Sequence, residues 1–226
     1  MTKYQIKLGQ NIIAEWCWNT SRQQIFEQWM DSSITINKLK TTSLTAIHYN
    51  IRYFLLNQLE LLQMIKEYQS MIISLNKLRS RTDMKSIEQV LLGYEIIKAE
   101  GTNKHGGAIL TIDKRIRYVL INLHKPNIAA ETISLNDSTY TITSIYSPSN
   151  TPLPLETMLL LLTYSNYTIL LGDFNAKHID WGCSTINSKG DQLSKSINDN
   201  NLTVHNTNIR TSLRSTAIIN LVITNQ

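Results

Sequence analysis

The chain has 226 residues, 42% hydrophobic and only 17% charged, with 22 Lys and Arg against 17 Asp and Glu. That is enough apolar material for one sizeable core under a polar, weakly charged surface, and neither a repeat nor a low-complexity tract interrupts it. The net charge of +5 suits a polyanionic partner such as nucleic acid, and equally an ordinary solvated surface.

Cys17 and Cys183 fit no metal or redox spacing and point to a reducing compartment. Met1 to Gln10 carries no apolar core of a secretory signal. The most apolar stretch, Leu159 to Leu171, is broken by Thr163, Ser165, Asn166 and Thr168, too short and too polar to span a bilayer. An intracellular location is the expectation, with no membrane partner.

Residues 1–42 stand apart. They hold three of the four tryptophans, Trp16, Trp18 and Trp29. Ser21 to Met30 reads as a short helix capped by Ser21, with Ile25, Phe26 and Trp29 on one face. This is an N-terminal arm of unknown role, either packed on residues 43–226 or belonging to a longer parent protein.

From residue 43 the pattern becomes regular. Leu44 to Ile51 alternates as a strand. Leu55 to Tyr68 has apolar residues at helical spacing (Leu55, Leu59, Leu62, Ile65), and Met71 to Leu75 has strand length, which together predict a strand-helix-strand crossover. Strands come next at Tyr94 to Lys98, Ala108 to Ile112, Arg117 to Leu123, Ile128 to Leu135 and Thr139 to Tyr146. The last two are joined by an Asn136-Asp137-Ser138 turn. Leu155 to Leu162 is helical, Tyr167 to Phe174 is a strand buried on both faces, Gln192 to Asn198 is helical, and Ile218 to Thr224 is a final strand. Hairpins together with crossovers predict an α/β or α+β sandwich.

Leu170 to His178 carries the most chemistry. An apolar strand runs into Gly172 and then emits Asp173 and Asn175. Alternation predicts that these two share a face, with Phe174 on the other. They lie at the carboxyl end of the strand, where α/β sheets place their sites. A carboxylate there can orient and deprotonate a water, while the amide can hold a phosphate oxygen. Gly, Asp and Asn are also common turn formers, so the motif alone does not decide.

Other segments do. In order, the chain reads Asn50-Ile51-Arg52, Gly106-Gly107-Ala108, Ile145-Tyr146-Ser147-Pro148, Gly172-Asp173-Phe174-Asn175-Ala176, Trp181-Gly182 and Ser215-Thr216-Ala217-Ile218. That succession resembles the endonuclease domain of non-LTR retrotransposons, in the endonuclease/exonuclease/phosphatase superfamily that includes the apurinic DNA-repair endonucleases. The resemblance covers residues 43–226. It implies a DNase I-like four-layer sandwich of two packed mixed sheets flanked by helices. It also implies magnesium-dependent nicking of DNA, with a reverse transcriptase domain on the same chain in a full element and the nucleus as the place of action. Asn50 matches the asparagine near metal and phosphate, Tyr146 the tyrosine that holds the scissile phosphate, Asp173 the water-activating aspartate, and Asn175 the amide beside it. Magnesium suits such work because it prefers oxygen ligands and keeps waters in its shell.

Three positions depart from the pattern. Lys77 stands where the family places its main magnesium-ligating glutamate. At ~4 Å and an effective dielectric of ~20, one unit charge is worth ~4 kcal/mol, so the exchange lowers magnesium affinity. Asn220 stands where the family has an aspartate that orients a catalytic histidine. The sequence ends at Gln226, before the family's Ser-Asp-His segment, and His178 and His205 lie in other segments. The expectation is a domain lacking its last strand, of marginal stability. Two readings result: an impaired DNA endonuclease, or a catalytically silent remnant with weak nucleic-acid binding. A phosphoesterase acting on lipid or inositol phosphates is a third.

Overall fold

The computed structural model describes residues 43–78, 82–103, 106–211 and 217–225. The predicted helix at Ser21 to Met30, the three early tryptophans and Ser215-Thr216 lie outside the described residues.

The first crossover forms as its pattern predicts. Strand β1 (Ala46–Asn50) pairs in parallel with β2 (Ile72–Asn76), in register from Ala46 opposite Ile72 to Asn50 opposite Asn76, and helix α1 (Phe54–Tyr68) connects them. The buried side of α1 differs from the expectation. Phe54 and Leu61 are buried, whereas Leu55 and Leu59 are 55% and 42% exposed. Apolar residues flank both sides of this helix, so spacing alone does not choose which stripe meets the sheet.

A short helix, α2 (Met84–Val90), has no counterpart in the sequence reading. It is capped by Asp83, whose carboxylate accepts from the Ser86 N–H at 2.7 Å. Strands β3 (Tyr94–Ala99) and β4 (Ala108–Asp113) then pair antiparallel, and β4 lies against β2. The first sheet therefore runs β1-β2-β4-β3.

The second sheet begins with a meander of β5 (Arg117–Ile121), β6 (Ile128–Leu135) and β7 (Ser138–Tyr146). At its tight turn Asn136 and Asp137 both have positive φ, 49° and 61°, the conformation that two-residue hairpins require. Helix α3 (Leu155–Leu161) crosses to β8 (Tyr167–Asp173), which pairs parallel with β7. A 3-10 turn at Ile179–Trp181, helix α4 (Ser188–Asp199), the two-residue β9 (Thr203–Val204) and β10 (Asn220–Thr224) complete an order of β5-β6-β7-β8-β10-β9. Helix α4 starts four residues before its predicted start at Gln192. Asn187 caps it by accepting from the Gly190 N–H at 2.8 Å.

Two apolar clusters lie on the outer faces of the sheets. One packs Phe54, Leu61, Ile87 and Leu91 against Ile73, Leu75 and Ile109. The other packs Met158, Leu161, Leu193 and Trp181 against Ile145, Leu170 and Phe174. The inner faces meet each other, as the 2.7 Å hydrogen bond from Ser74 Oγ to Ser144 Oγ shows. This is the expected four-layer sandwich of helices, mixed sheet, mixed sheet and helices. Among the described residues no helix is long and apolar enough to cross a membrane.

Candidate active site

Two rows of side chains meet at one end of the sandwich. In the first sheet Asn50 and Asn76 end β1 and β2 side by side. In the second, Tyr146 ends β7, Asp173 ends β8 opposite it, and Asn220 faces Asp173 from β10. Parallel pairing at β1-β2 and β7-β8 brings four carboxyl-terminal strand ends to the same edge, which is where such sheets collect functional groups. Gly172 allows the close approach: a Cβ there would lie 2.1 Å from the Ile145 carbonyl oxygen, so any side chain would force β7 and β8 apart.

Asp173 is the centre of the arrangement and is fully buried. Its Oδ2 accepts from Asn50 Nδ2 at 2.6 Å and from Lys77 Nζ at 2.5 Å, and its Oδ1 accepts from the Asn175 N–H at 3.2 Å. Its backbone N–H donates to Asn76 Oδ1 at 2.9 Å, and Asn76 Nδ2 reaches Ser144 Oγ at 3.2 Å. A chain of hydrogen bonds thus ties the two sheets together directly beneath the carboxylate.

Alternation along β8 does not extend to Asn175. The strand ends at Asp173, Phe174 turns into the outer core, and Asn175 adopts φ 50°. Asn175 still joins the site through this turn, and its Nδ2 donates to the Ser147 carbonyl at 3.0 Å. Helix α4 holds both loops. Asn187 Nδ2 donates to the Asn175 carbonyl at 2.9 Å, and Lys189 Nζ donates to Ser147 Oγ and the Pro148 carbonyl, each at 2.6 Å. Burial pulls the Lys189 ammonium down to about 8, partly opposed by the charge of Asp173.

Lys77 follows β2 with φ 60°, and its N–H donates to the Gly107 carbonyl at 3.2 Å. That left-handed turn sends the side chain back over the site, where its ammonium also lies 5.2 Å from the centre of the Tyr146 ring. Burial pushes the Tyr146 phenol up, and the Asp173 charge adds to the shift, so the phenol is a proton donor at neutral pH. Asn220 is held by Thr211: its Nδ2 donates to the Thr211 carbonyl at 3.2 Å. Beside it lies His48, which burial holds down at about 4 while the Asn220 side chain works against the shift. His178 and His205 lie elsewhere. His178 caps the 3-10 turn and stacks near Trp181, and His205 contacts Thr224.

The divalent ion that the resemblance implies does not fit these residues. Among the described residues Asp173 is the one carboxylate at the site, and an ammonium already lies on its Oδ2. Among the described residues no three His, Cys, Asp or Glu side chains converge to hold a metal. Asn50 Oδ1, buried without a partner, is one neutral oxygen, whereas magnesium is ordinarily anchored by one or two carboxylates free to ligate it.

The sequence reading thus named Asn50, Lys77, Tyr146, Asp173, Asn175 and Asn220, and the fold brings all six to one edge. It missed Asn76, Ser144 and Lys189. Asn76 and Ser144 stand next to positions already singled out, Lys77 and Ile145-Tyr146, whereas Lys189 left no trace.

Residues 140–226 match a family model described as endonuclease-reverse transcriptase. No curated protein matches the sequence. Among solved structures, the fold is similar to the endonuclease domain of TRAS1, a telomere-specific non-LTR retrotransposon, at 17% identity and a TM-score of 0.67, covering 80% of this chain and 83% of that one. It is also similar to a mannosyl-6-phosphatase of Bacteroides thetaiotaomicron (13% identity, TM-score 0.58, covering 80% and 85%). A third likeness is to the human Nocturnin catalytic domain (16% identity, TM-score 0.56, covering 81% and 82%).

Proposed function

We propose that this chain, which has the endonuclease/exonuclease/phosphatase fold and an endonuclease-reverse transcriptase segment at residues 140–226, is a retrotransposon-type endonuclease domain directed at the DNA phosphodiester backbone, with strand nicking suppressed. The observation that carries the reading is the convergence of Asn50, Tyr146, Asp173 and Asn175 on one edge, at the carboxyl ends of strands from both sheets. The Tyr146 phenol can donate to a non-bridging phosphate oxygen. Asn175 is held by Ser147 beside it. Asp173 could take a proton from an attacking water through Oδ1, whose one donor is 3.2 Å away. The suppression comes from Lys77, which ties up Oδ2 and neutralises the carboxylate.

The second reading, a catalytically silent domain that binds DNA, is favoured by the same ion pair. Supercoiled plasmid incubated with magnesium separates the two. Slow nicking that vanishes in Asp173→Ala supports the suppressed enzyme, and the double variant Lys77→Glu, Asn220→Asp is expected to nick at least about tenfold faster, equivalent to about 1.4 kcal/mol of barrier. Binding without nicking in either protein favours the silent domain. No binding and no nicking in either protein sinks both readings. Release of phosphate from a sugar monophosphate instead would move the chain to the phosphatase branch.

A further inference from the structure

Lys77 does more than remove a metal ligand. Its ammonium lies 2.5 Å from Asp173 Oδ2 and 5.2 Å from the Tyr146 ring centre, so it occupies the space between carboxylate and phenol where a bound cation would be useful. The side chain is 16% exposed, so part of it faces solvent. An ammonium carries three donors. One is spent on Asp173. Asn50 Oδ1, buried and without a partner, lies on the same carboxylate through its own amide and could take a second. A third is free.

Lys189, the other cation near Asp173, is committed to Ser147 and Pro148 and does not compete for an incoming anion. Arg52 is close enough to lower the Tyr146 phenol by its charge. Arg52, Lys77 and Lys189 against the one carboxylate of Asp173 leave this edge net positive, which suits an anion such as a phosphodiester. Lysine serves as a point charge for phosphate without any metal.

We propose that the Lys77 ammonium takes the place of the divalent ion and makes this edge a metal-independent phosphate-binding site, its ligand a single DNA phosphodiester held between Lys77 and the Tyr146 phenol. The identity of the ligand as DNA rests on the function proposed above; the replacement of the metal does not.

Two measurements on the full chain test it. Manganese titration followed by electron paramagnetic resonance should show no site dependent on Asp173 in the wild type, and one such site in Lys77→Glu that is lost again in Lys77→Glu, Asp173→Asn. Manganese bound by the wild type and released by Asp173→Asn would overturn the proposal. In the second measurement a short duplex oligonucleotide is bound in EDTA and again in magnesium. Equal affinities are expected, with Lys77→Gln about tenfold or more weaker, as loss of one charge-assisted hydrogen bond implies. The exposed-lysine control Lys66→Gln should change little.

Unchanged affinity in Lys77→Gln, with its thermal transition intact, would overturn the phosphate role. If the oligonucleotide does not bind at all, inorganic phosphate replaces it, followed through the side-chain amide signals of Asn50 and Asn175. A Lys77-dependent shift there upholds the metal-independent anion site while removing DNA as its ligand, and no shift overturns it.

Discussion

Asp173 and Glu131 are both fully buried, and both belong to the layer where the sheets meet. Asp173 accepts three hydrogen bonds, one of them from a cation. Glu131 lies on β6 between Ala130 and Thr132, and alternation turns it away from the outer cluster that contains Ala130. Neither of its oxygens has a hydrogen-bond partner among the described residues. Burial accordingly pushes its carboxyl up to about 8. The difference shows how the same layer can hold a charge at one end and exclude it at the other. Donors from Asn50, Lys77 and the Asn175 backbone offset the desolvation of Asp173, whereas Glu131 stays neutral at pH 7 because nothing offsets its own.

The contrast can be tested most strongly at Glu131. Its folded-state pKa lies above the unfolded value of 4.5, so the folded protein binds the extra proton between 4.5 and about 8. Stability is therefore full below pH 4.5 and falls as pH rises toward 8, by up to about 1.4 kcal/mol per pH unit. Glu131→Leu should stabilise the chain by about 1 kcal/mol near pH 4.5, from the relieved burial of a partnerless carboxyl, and by several times as much near pH 8. Urea denaturation at a series of pH values reads the gap. A gap that does not widen with pH would show that Glu131 has an ionised partner.

At the other carboxylate the expected change has the opposite sign. Asp173→Asn keeps the shape but leaves Lys77 without its anion and removes the acceptor for one of two donors. The lysine can turn toward water, which reduces the penalty below that of a fully enclosed pair. A loss of about 1–2 kcal/mol is expected. A stabilised Asp173→Asn variant would mean that the ion pair is a net cost to the fold.

Beneath Asp173, Ser144→Ala removes the acceptor of both Ser74 Oγ and Asn76 Nδ2. The expected loss is about 1 kcal/mol. Because Asn76 also holds the Asp173 backbone, nuclear magnetic resonance should show the Asp173 amide shifting in this variant while the outer clusters stay unchanged.

Most of the fold and six of the nine site residues were legible in the sequence, for reasons that differ by residue. The strand ends at Asn50, Tyr146 and Asp173 are visible because an alternating or apolar run stops there at a polar residue. The αβ crossovers are visible from run lengths. The pairing of Lys77 with Asp173 spans 96 positions, and no local pattern encodes it; it arises from the left-handed turn at Lys77 and the packing of one sheet on the other. Ser144 reads as an ordinary small residue in a strand until the register places it against Ser74. Helix α2 is only seven residues long, below the length at which apolar periodicity declares itself. Asn175 escapes the alternation rule because it lies beyond the strand end at Asp173 and itself takes the left-handed turn, where the two-residue period no longer applies.

His48 offers the smallest effect and completes the pH behaviour of the layer. It sits on β1 two residues before Asn50, with Nδ1 2.9 Å from Ser74 Oγ and the Asn220 side chain beside the ring. Burial lowers its pKa from 6.5 to about 4. Above 6.5 the ring is neutral in both states and contributes no pH dependence. Between 6.5 and 4 the unfolded chain takes up a proton that the folded one does not, so stability falls as pH falls. Glu131 acts in the opposite sense from 4.5 upward, so the two slopes oppose each other between 4.5 and 6.5. The wild type should therefore show a stability plateau over that interval, declining toward about 4 on the acid side and toward about 8 on the alkaline side. His48→Gln should flatten the acid flank and tilt the plateau so that stability keeps rising as pH falls from 6.5 to 4.5, narrowing its deficit against the wild type by about 1 kcal/mol or more between pH 7 and pH 4.5. If His48→Gln flattens the alkaline flank instead, the histidine and Glu131 are coupled through the layer, and the separation drawn between its two ends fails.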